Sequence, residues 1–215
     1  MIPDITENSD GTHTARFGDV TLPVTMTRER SYTGLGIQSD AHRDLYWHAV
    51  TALEQLPDIN RVIDSPCGSG YGSEILSRQW GVTGIDMSAE AVAFAKHRAP
   101  RARIMPMDMT DGEAMRIVLG ERTNDAIVSI EGLEHVADPT ALLTTFRDLL
   151  RPGGVLFYST PDKHQSGAAK GNPNPHHPHE MDREELLLAL QAAGFTRVLE
   201  LSTHDSPTIM GVAVR

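Results

Sequence analysis

Three glycines at alternate positions, Gly68, Gly70 and Gly72, follow a short apolar run that ends at Asp64, in the stretch DSPCGSGYGSE. Glycine lets the backbone turn sharply and approach a ligand closely, because it carries no Cβ. A turn of this kind between a buried strand and a helix is typical of a nucleotide-type cofactor site. A dinucleotide-binding turn has the spacing G-x-G-x-x-G, whose third glycine would stand where this chain has Ser73, so the spacing disfavours NAD.

Two aspartates follow the next two strand-like runs. Asp86 ends the run VTGID, where a carboxylate can accept hydrogen bonds from both ribose hydroxyls of an adenosine ligand. Asp108 stands in the next loop, where it can accept from an adenine amino group between the apolar walls of Met107 and Met109. With Met87 beside Asp86, these residues predict an adenosine site. The alternatives are a helix-capping acid at Asp86 and an exposed turn acid at Asp108.

A second cluster of reactive residue types follows the fourth strand-like run. The stretch IEGLEHV places Glu131, Glu134 and His135 at the expected carboxyl edge of a sheet, near the predicted adenosine site. The later loop GNPNPHHPHEM adds further imidazoles and a carboxyl group, at His176, His177, His179 and Glu180. Mixed oxygen and nitrogen ligands of this kind suit Mg²⁺, Mn²⁺ or Zn²⁺.

Three interpretations of this cluster stay open from the residues. In the first, Glu131, Glu134, His135 and His179 bind a divalent metal. In the second, His135 acts without metal as a general base on a substrate hydroxyl, because the pKa of histidine lies near neutral pH. Glu131 and Glu134 then contact the cofactor or fix the loop. In the third, the cluster is purely structural.

These residues need a scaffold that brings several strand ends together, and the sequence predicts one. Short apolar runs at 61–64, 82–86, 102–107, 125–130 and 154–160 alternate with amphipathic segments at 72–80, 88–98, 112–119 and 138–150. Strands and helices in alternation predict an α/β fold with a doubly wound, mostly parallel sheet and helices on both faces. Ligands of such sheets bind beyond the carboxyl ends of the strands.

The two ends of the chain predict further elements. Residues 1–14 have the pattern of a tail, 15–24 that of a hairpin turning at Gly18 and Asp19, and 39–56 that of a helix. After a loop rich in Gly, Pro and His at 161–180, DREELLLALQAAGF predicts a helix over 182–195. The last two runs, TRVLELST and TIMGVAVR, are joined by a short turn, so they must pair antiparallel.

The composition favours one soluble domain. The chain has 215 residues, a formal net charge of −10 and a single cysteine, Cys67. An acidic chain without a patch rich in lysine and arginine disfavours a long nucleic acid as partner. One cysteine excludes an internal disulfide and fits a cytoplasmic location. No stretch has the roughly 18 apolar residues of a membrane span, and no feature indicates an oligomeric state.

Together the motifs resemble class I S-adenosylmethionine-dependent methyltransferases, especially the branch with the O-methyltransferases of ubiquinone biosynthesis and the methyltransferases of surface-glycan and natural-product pathways. The matching stretches are VIDSPCGSGYGSEIL, GIDMS, MDM, DAIVSIEGLEHVADPTALLTTFRDLLRPGGVLFYSTPD and HEMDREELLLALQAAGF. Pro66 departs from the family pattern, which commonly has a small residue there. Similar acid and histidine patterns bind metal in some ubiquinone-pathway and small-RNA 3′-end methyltransferases.

The resemblance implies a Rossmann-like sheet of seven strands with a reversed last strand. It also implies that Gly68 and Gly70 pack against the methionine part of S-adenosylmethionine and that Asp64 orients the amino group of the cofactor. Asp86 and Asp108 would hold the ribose and the adenine. The cofactor carries a sulfonium cation and no phosphate, so an acidic loop is compatible with it.

We therefore predict a methyltransferase domain over 37–215, preceded over 1–36 by a tail and a hairpin or lid. It would methylate a small molecule or sugar, at oxygen, by in-line transfer. The acceptor pocket is expected between residues 15–45 and the loop 161–181. Its candidate lining residues are Tyr32, Arg43, Tyr46 and Trp47, although Trp47 favours core packing. The alternatives are an NAD(P)-dependent oxidoreductase and a protein that binds S-adenosylmethionine without transferring its methyl group.

Overall fold

The computed structural model describes residues 4–7, 13–17, 20–24, 40–167, 169–171 and 174–215, with the backbone alone up to residue 41. A small antiparallel sheet opens the chain, in the order β1 (Asp4–Glu7), β2 (His13–Phe17), β3 (Val20–Val24). Phe17 pairs with Val20, which confirms the two hairpin strands; Gly18 and Asp19 lie outside the described residues. The predicted tail is wrong at β1, because a strand of four residues is too short to show periodicity.

A second sheet of seven strands forms the centre of the protein. Its strands are β4 (Arg61–Asp64), β5 (Gly81–Asp86), β6 (Arg103–Pro106), β7 (Asn124–Ile130), β8 (Leu150–Pro161), β9 (Arg197–Glu200) and β10 (Thr208–Val214). Their spatial order is β6-β5-β4-β7-β8-β10-β9. Strands β4 to β8 pair in parallel, and β10 is antiparallel to both of its neighbours. The α/β, Rossmann-like sheet with a reversed last strand is thereby confirmed.

Helices cover both faces of this sheet. They are α1 (Asp40–Glu54), α2 (Tyr71–Leu76), α3 (Ala89–Arg98), α4 (Gly112–Met115), α5 (Pro139–Leu149) and α6 (Arg183–Ala193). Successive side chains of a strand point to opposite faces. In β7, Ile127 packs with α5 and α6, whereas Ala126 and Val128 pack with α1 and α2. None of the helices among the described residues has both the length and the apolar character needed to cross a membrane.

Three predicted boundaries differ from the structure. Helix α2 ends at Leu76, four residues before the predicted end, and α4 continues as a π-helical turn over Arg116–Gly120. Strand β8 starts at Leu150 and includes the Arg-Pro-Gly-Gly stretch that we expected only to stop the preceding helix. The carboxyl ends of β4 to β8, where the predicted site lies, are unaffected by these differences.

One face of helix α1 packs against the sheet. Its buried residues are Tyr46, Ala49, Val50 and Leu53, spaced as one face of a helix. Trp47 lies outside this face, 42% exposed, with the Arg78 guanidinium carbon 5.9 Å from its ring centroid. The expected core packing of Trp47 is therefore wrong.

Candidate cofactor and metal sites

The glycine turn joins the end of β4 to the start of α2, at the carboxyl edge of the sheet. Gly68 and Gly70 have φ angles of 50° and 83°, in the left-handed region that favours glycine. A Cβ on Gly68 would meet no atom within 4 Å, whereas one on Gly70 would stand 2.6 Å from the Cβ of Ala95 in α3. A Cβ on Gly72 would lie 2.0 Å from the Tyr46 ring. Gly68 alone of the three thus borders open space, and Gly70 and Gly72 permit close packing.

Asp64 is fully buried beneath this turn. Its Oδ1 accepts a hydrogen bond from the Tyr46 hydroxyl at 2.8 Å, and its Oδ2 accepts one from the Ser73 hydroxyl at 2.6 Å. Burial raises the pKa of Asp64 to about 7; the two hydrogen bonds oppose this rise, and the charge of Asp86 adds to it. Tyr46, expected in the acceptor pocket, is itself buried and bonds to Asp64.

Asp86 connects the two loops that border the same space. Its Oδ2 accepts from the backbone N–H of Gly68 at 3.0 Å, and its Oδ1 accepts from that of Ser88 at 2.8 Å. The N-cap of α3 is Ser88, whose hydroxyl oxygen accepts from the Ala91 N–H, so the helix-capping interpretation of Asp86 is wrong. An ionised carboxylate has about four acceptor positions, so these bonds are compatible with a ribose.

Met87 follows Asp86 at the end of β5, and Asp108 follows the end of β6 between Met107 and Met109. Asp108 is exposed, and its Oδ1 accepts from the N–H and the hydroxyl of Thr110, at 2.8 and 2.7 Å. It therefore closes a turn as well as facing solvent. Met87 is 74% exposed, whereas Met107 and Met109 are half-buried and pack against the core. An exposed apolar side chain beside Asp86 offers contact to a flat ligand such as a purine.

Glu131 and Glu134 follow β7. The Glu131 backbone is left-handed, with φ 48°, and its Oε1 accepts from the Ser159 hydroxyl at 2.9 Å. Glu134 is 1% exposed; its Oε2 accepts from the Thr160 hydroxyl at 3.0 Å, whereas its Oε1 has no hydrogen-bond partner among the described residues. Burial raises the pKa of Glu131 to about 7. It raises that of Glu134 well above its ordinary value, and the charges of Glu131 and Glu180 add to this rise.

Two imidazoles face this buried carboxyl group. Nδ1 of His135 lies 3.0 Å from the His176 carbonyl oxygen, which can only accept, so we assign the ring proton to Nδ1. Nδ1 of His177 likewise donates to Glu180 Oε1 at 2.7 Å, and the Asn174 amide donates to its Nε2 at 2.9 Å. Both rings therefore carry their lone pair on Nε2.

The structure groups Glu134, His135 and His177, and a ligand atom of each lies within 4.8 Å of the others. Our predicted set was Glu131, Glu134, His135 and His179, so the group lacks two of its members, Glu131 and His179, and contains His177 instead. His179 is exposed and lines a separate depression with Pro139 of α5 and Leu188 of α6. The proline-rich loop has no helical or strand periodicity, so the sequence could not show which of its histidines lies beside Glu134.

Several residues at the site escaped the sequence analysis. Ser73 donates to Asp64, Ser159 and Thr160 of β8 donate to the two glutamates, and Arg98 contacts the glycine turn. Serine and threonine are common at buried strand ends, so the residue type alone does not indicate a hydrogen bond to a carboxylate of the site. Arg98 has the pattern of a solvent-exposed residue in a helical last turn.

Comparison with known proteins supports the resemblance. The family model described as "Methyltransferase domain" matches residues 39–201. A protein of Mycobacterium tuberculosis described as a probable S-adenosylmethionine-dependent methyltransferase is 26% identical over all of this chain and 77% of its own length. The ubiquinone biosynthesis O-methyltransferase of Xylella fastidiosa is 41% identical over 46% of this chain and 41% of its own length.

Solved structures share the fold. A S-adenosylmethionine-dependent methyltransferase from Archaeoglobus fulgidus superposes with a TM-score of 0.66 over 87% of this chain and 97% of its own, at 15% identity. At that identity the likeness concerns the fold alone.

Proposed function

The chain belongs to the methyltransferase family and is an S-adenosylmethionine-dependent methyltransferase, and from that premise we propose that it methylates a hydroxyl oxygen of a small molecule or sugar. We propose further that a divalent cation held by Glu134, His135 and His177 assists the transfer. An NAD(P) oxidoreductase and a protein without transfer activity are set aside by the family. The free, buried thiol of Cys67 supports a cytoplasmic location.

The geometry at the sheet edge supports a cofactor between the glycine turn and Met87. Gly68 borders the open side of the turn, where the methionine part would lie. Asp86 holds its carboxylate between the two loops, where it would accept from the ribose. Met87 and Met109 would border the adenine, with Asp108 at its amino group. Asp64 would support the cofactor site indirectly, because it accepts hydrogen bonds from Ser73, which follows the turn, and from Tyr46 of α1.

The cation is supported by one observation above all, the unpartnered Oε1 of Glu134. A buried polar atom without a partner is costly, and a carboxyl oxygen becomes a strong ligand when it faces a cation. The Nε2 atom of His135 lies 3.9 Å from this oxygen. Metal-binding histidines usually donate their other ring N–H to a carbonyl or a carboxylate, as His135 and His177 do here. In His177, the cation would have to replace the Asn174 amide at Nε2.

The chain's own residues have distinct tasks in this proposal. His176 and Glu180 fix the proton on Nδ1 of the two rings, and Ser166 donates to Glu180 in turn. Glu131 stands between this group and the cofactor edge. When bound, a divalent cation would lower the pKa of a coordinated acceptor hydroxyl. Holding the oxygen in line with the sulfonium methyl group would supply much of the remaining acceleration.

We propose a methyltransferase domain over 37–215, preceded by a tail and a hairpin or lid over 1–36. The acceptor would enter between residues 15–45 and the loop 161–181. Tyr32 lies outside the described residues, and Tyr46 is used at Asp64. Arg43 of α1 is exposed and keeps its place as a candidate contact to the acceptor.

Separate replacement of His177 and His179 by alanine tests whether a cation binds at the proposed site. We expect His177→Ala to lower turnover and Mn²⁺ affinity by about 10- to 100-fold, while His179→Ala, the matched control, leaves both unchanged. Turnover is measured with methyl-labelled cofactor against sugars, phenols and amines, and Mn²⁺ binding by electron paramagnetic resonance. Wild-type turnover that survives EDTA in a metal-free preparation would exclude the cation and leave His135 as a general base.

A further inference from the structure

We infer that Arg98 is a positioning residue that holds the glycine turn in the shape that binds the methionine end of the cofactor. The inference rests on the proposed cofactor position. It concerns a residue on a different element, the last turn of α3, whose guanidinium lies beneath the turn. Neither the predicted site nor the family's motifs include it.

Arg98 is 7% exposed, which is rare for an arginine. Its Nη1 donates to the Ser69 hydroxyl oxygen at 2.7 Å and to the Ser69 carbonyl oxygen at 3.3 Å. Burial lowers the pKa of Arg98, and the charge of Glu74 opposes this, but a guanidinium keeps its charge in proteins. A charged guanidinium therefore donates to Ser69 away from solvent, where charge-assisted hydrogen bonds are strongest.

The three residues of the turn are each fixed by one residue of the β5–α3 unit. The N–H of Gly68 donates to Asp86, Ser69 accepts from Arg98, and Gly70 packs on Ala95. Ala95 and Arg98 are three residues apart and share a face of α3. The β5–α3 unit that carries the proposed ribose-binding carboxylate thus also sets the position of the turn.

The turn gains from such support because two of its residues are glycines. Gly68 and Gly70 are left-handed, and glycine loses more conformational freedom on ordering than any other residue. Within the turn, the Gly70 N–H donates to the Cys67 carbonyl oxygen at 2.9 Å. Arg98 orients the adjoining Ser69 carbonyl group. Without it, we expect the turn to sample other conformations, and the cofactor would bind only the fraction that keeps the present one.

The test is the affinity for S-adenosylhomocysteine by calorimetry, together with KM and kcat. We expect Arg98→Met to raise the Kd about 10- to 100-fold, as loss of a buried charged hydrogen bond predicts. KM for the cofactor should rise in step, with kcat at saturation nearly unchanged. Arg98→Lys should restore part of the affinity, since an ammonium group can reach one Ser69 oxygen.

Arg78→Met is the matched control, because Arg78 is half-exposed and pairs with Glu74 on the surface of α2. Its Kd should equal that of wild type. If Arg98→Met does not fold, Arg98→Lys and Ser69→Ala replace it, each with a smaller rise in Kd. Wild-type affinity in every folded variant, with Asp86→Ala losing binding, would overturn the role of Arg98. Retained binding in Asp86→Ala as well would instead overturn the proposed cofactor position.

Discussion

At the scale of single residues, the carboxyl groups divide into two kinds according to their surroundings. Asp64, Glu131 and Glu134 are held away from water, and burial raises the pKa of each. Asp125 is buried too, yet hydrogen bonds from Arg151 and from two backbone N–H groups outweigh burial and lower its pKa. The first kind gathers at the carboxyl edge of the sheet, and Asp125 joins β7 to the start of β4 at the opposite edge.

The raised pKa of Asp64 predicts a pH-dependent stability. Its folded-state pKa of about 7 lies above the ordinary 3.8, so its stabilising contribution is complete below pH 3.8 and is lost as the pH rises to about 7. We expect Asp64→Asn to gain stability relative to wild type between pH 4 and pH 7, and no further above it. Urea unfolding of the ligand-free protein measures this difference.

Asp125→Asn is the control for this experiment. The lowered pKa of Asp125 means that its contribution is complete above pH 3.8 and is lost only in acid. The stability difference from wild type should therefore stay constant between pH 5 and pH 8. An equally constant difference for Asp64→Asn would contradict the prediction.

Residue types and spacing could predict where Asp64 and Asp86 lie but not their hydrogen-bond partners. The positions of Asp64 and Asp86 follow from strand ends, which a parallel sheet aligns. Their bonds to Tyr46 and Gly68 cross from one element to another, and no local pattern records such contacts. The prediction named His179 rather than His177 for a similar reason: the loop that carries both has no helical or strand periodicity to show which side chain faces Glu134.

At the scale of elements, the prediction of the sheet was accurate because its buried strands are apolar and its helices amphipathic. The boundaries were less accurate where two patterns overlap. Strand β8 passes through Arg151, Pro152, Gly153 and Gly154, residues that usually end an element. β7 pairs with Leu150 and again with Val155, with a shift in register between Asn124 and Ala126, so β8 bulges through these four residues.

Helix α6 begins at a capping box that the sequence DREE encodes. The Asp182 carboxylate accepts from the Glu185 N–H, and Glu185 accepts from the Asp182 N–H, both at 2.9 Å. We expect Asp182→Ala to lower the free energy of unfolding by about 1 kcal/mol. Asp182→Asn should lose less, because asparagine also caps helices well. Urea denaturation at neutral pH measures both.

Acid weakens the same cap. The Glu185 N–H, followed by Lys163, lowers the pKa of Asp182 to about 2. The contribution of Asp182 is therefore present above pH 3.8 and is lost as the pH falls towards 2. The difference between Asp182→Ala and wild type should shrink over that range. A difference that is independent of pH would show that the carboxylate charge is irrelevant to the cap.

At the scale of the molecule, the proposed cation would connect two parts of the chain. Glu134 and His135 belong to the segment after β7, and His177 belongs to the loop between β8 and α6. Lys170 in that loop is exposed, which makes it a site for trypsin. We expect Mn²⁺ to slow cleavage after Lys170 in wild type, because it would hold the loop against the domain.

His177→Ala should lose this protection, and cleavage after the exposed Arg101, outside the loop, should be insensitive to Mn²⁺ in both proteins. The rates are measured by mass spectrometry of the fragments. Equal protection of His177→Ala would show that the metal acts elsewhere. Sequence reasoning placed the loop and its histidines, whereas only the fold shows which of them meets Glu134.

The ends of that loop are joined. Asp162 and Met181 form a bridge, the Lys163 N–H donates to the Met181 carbonyl oxygen, and Arg183 pairs with Asp162. The closed base separates the length of the segment 163–180 from the geometry of the sheet on either side of it. The segment can therefore change in length and sequence without disturbing the core, so the proposed acceptor contacts could change while the proposed cofactor site stays the same.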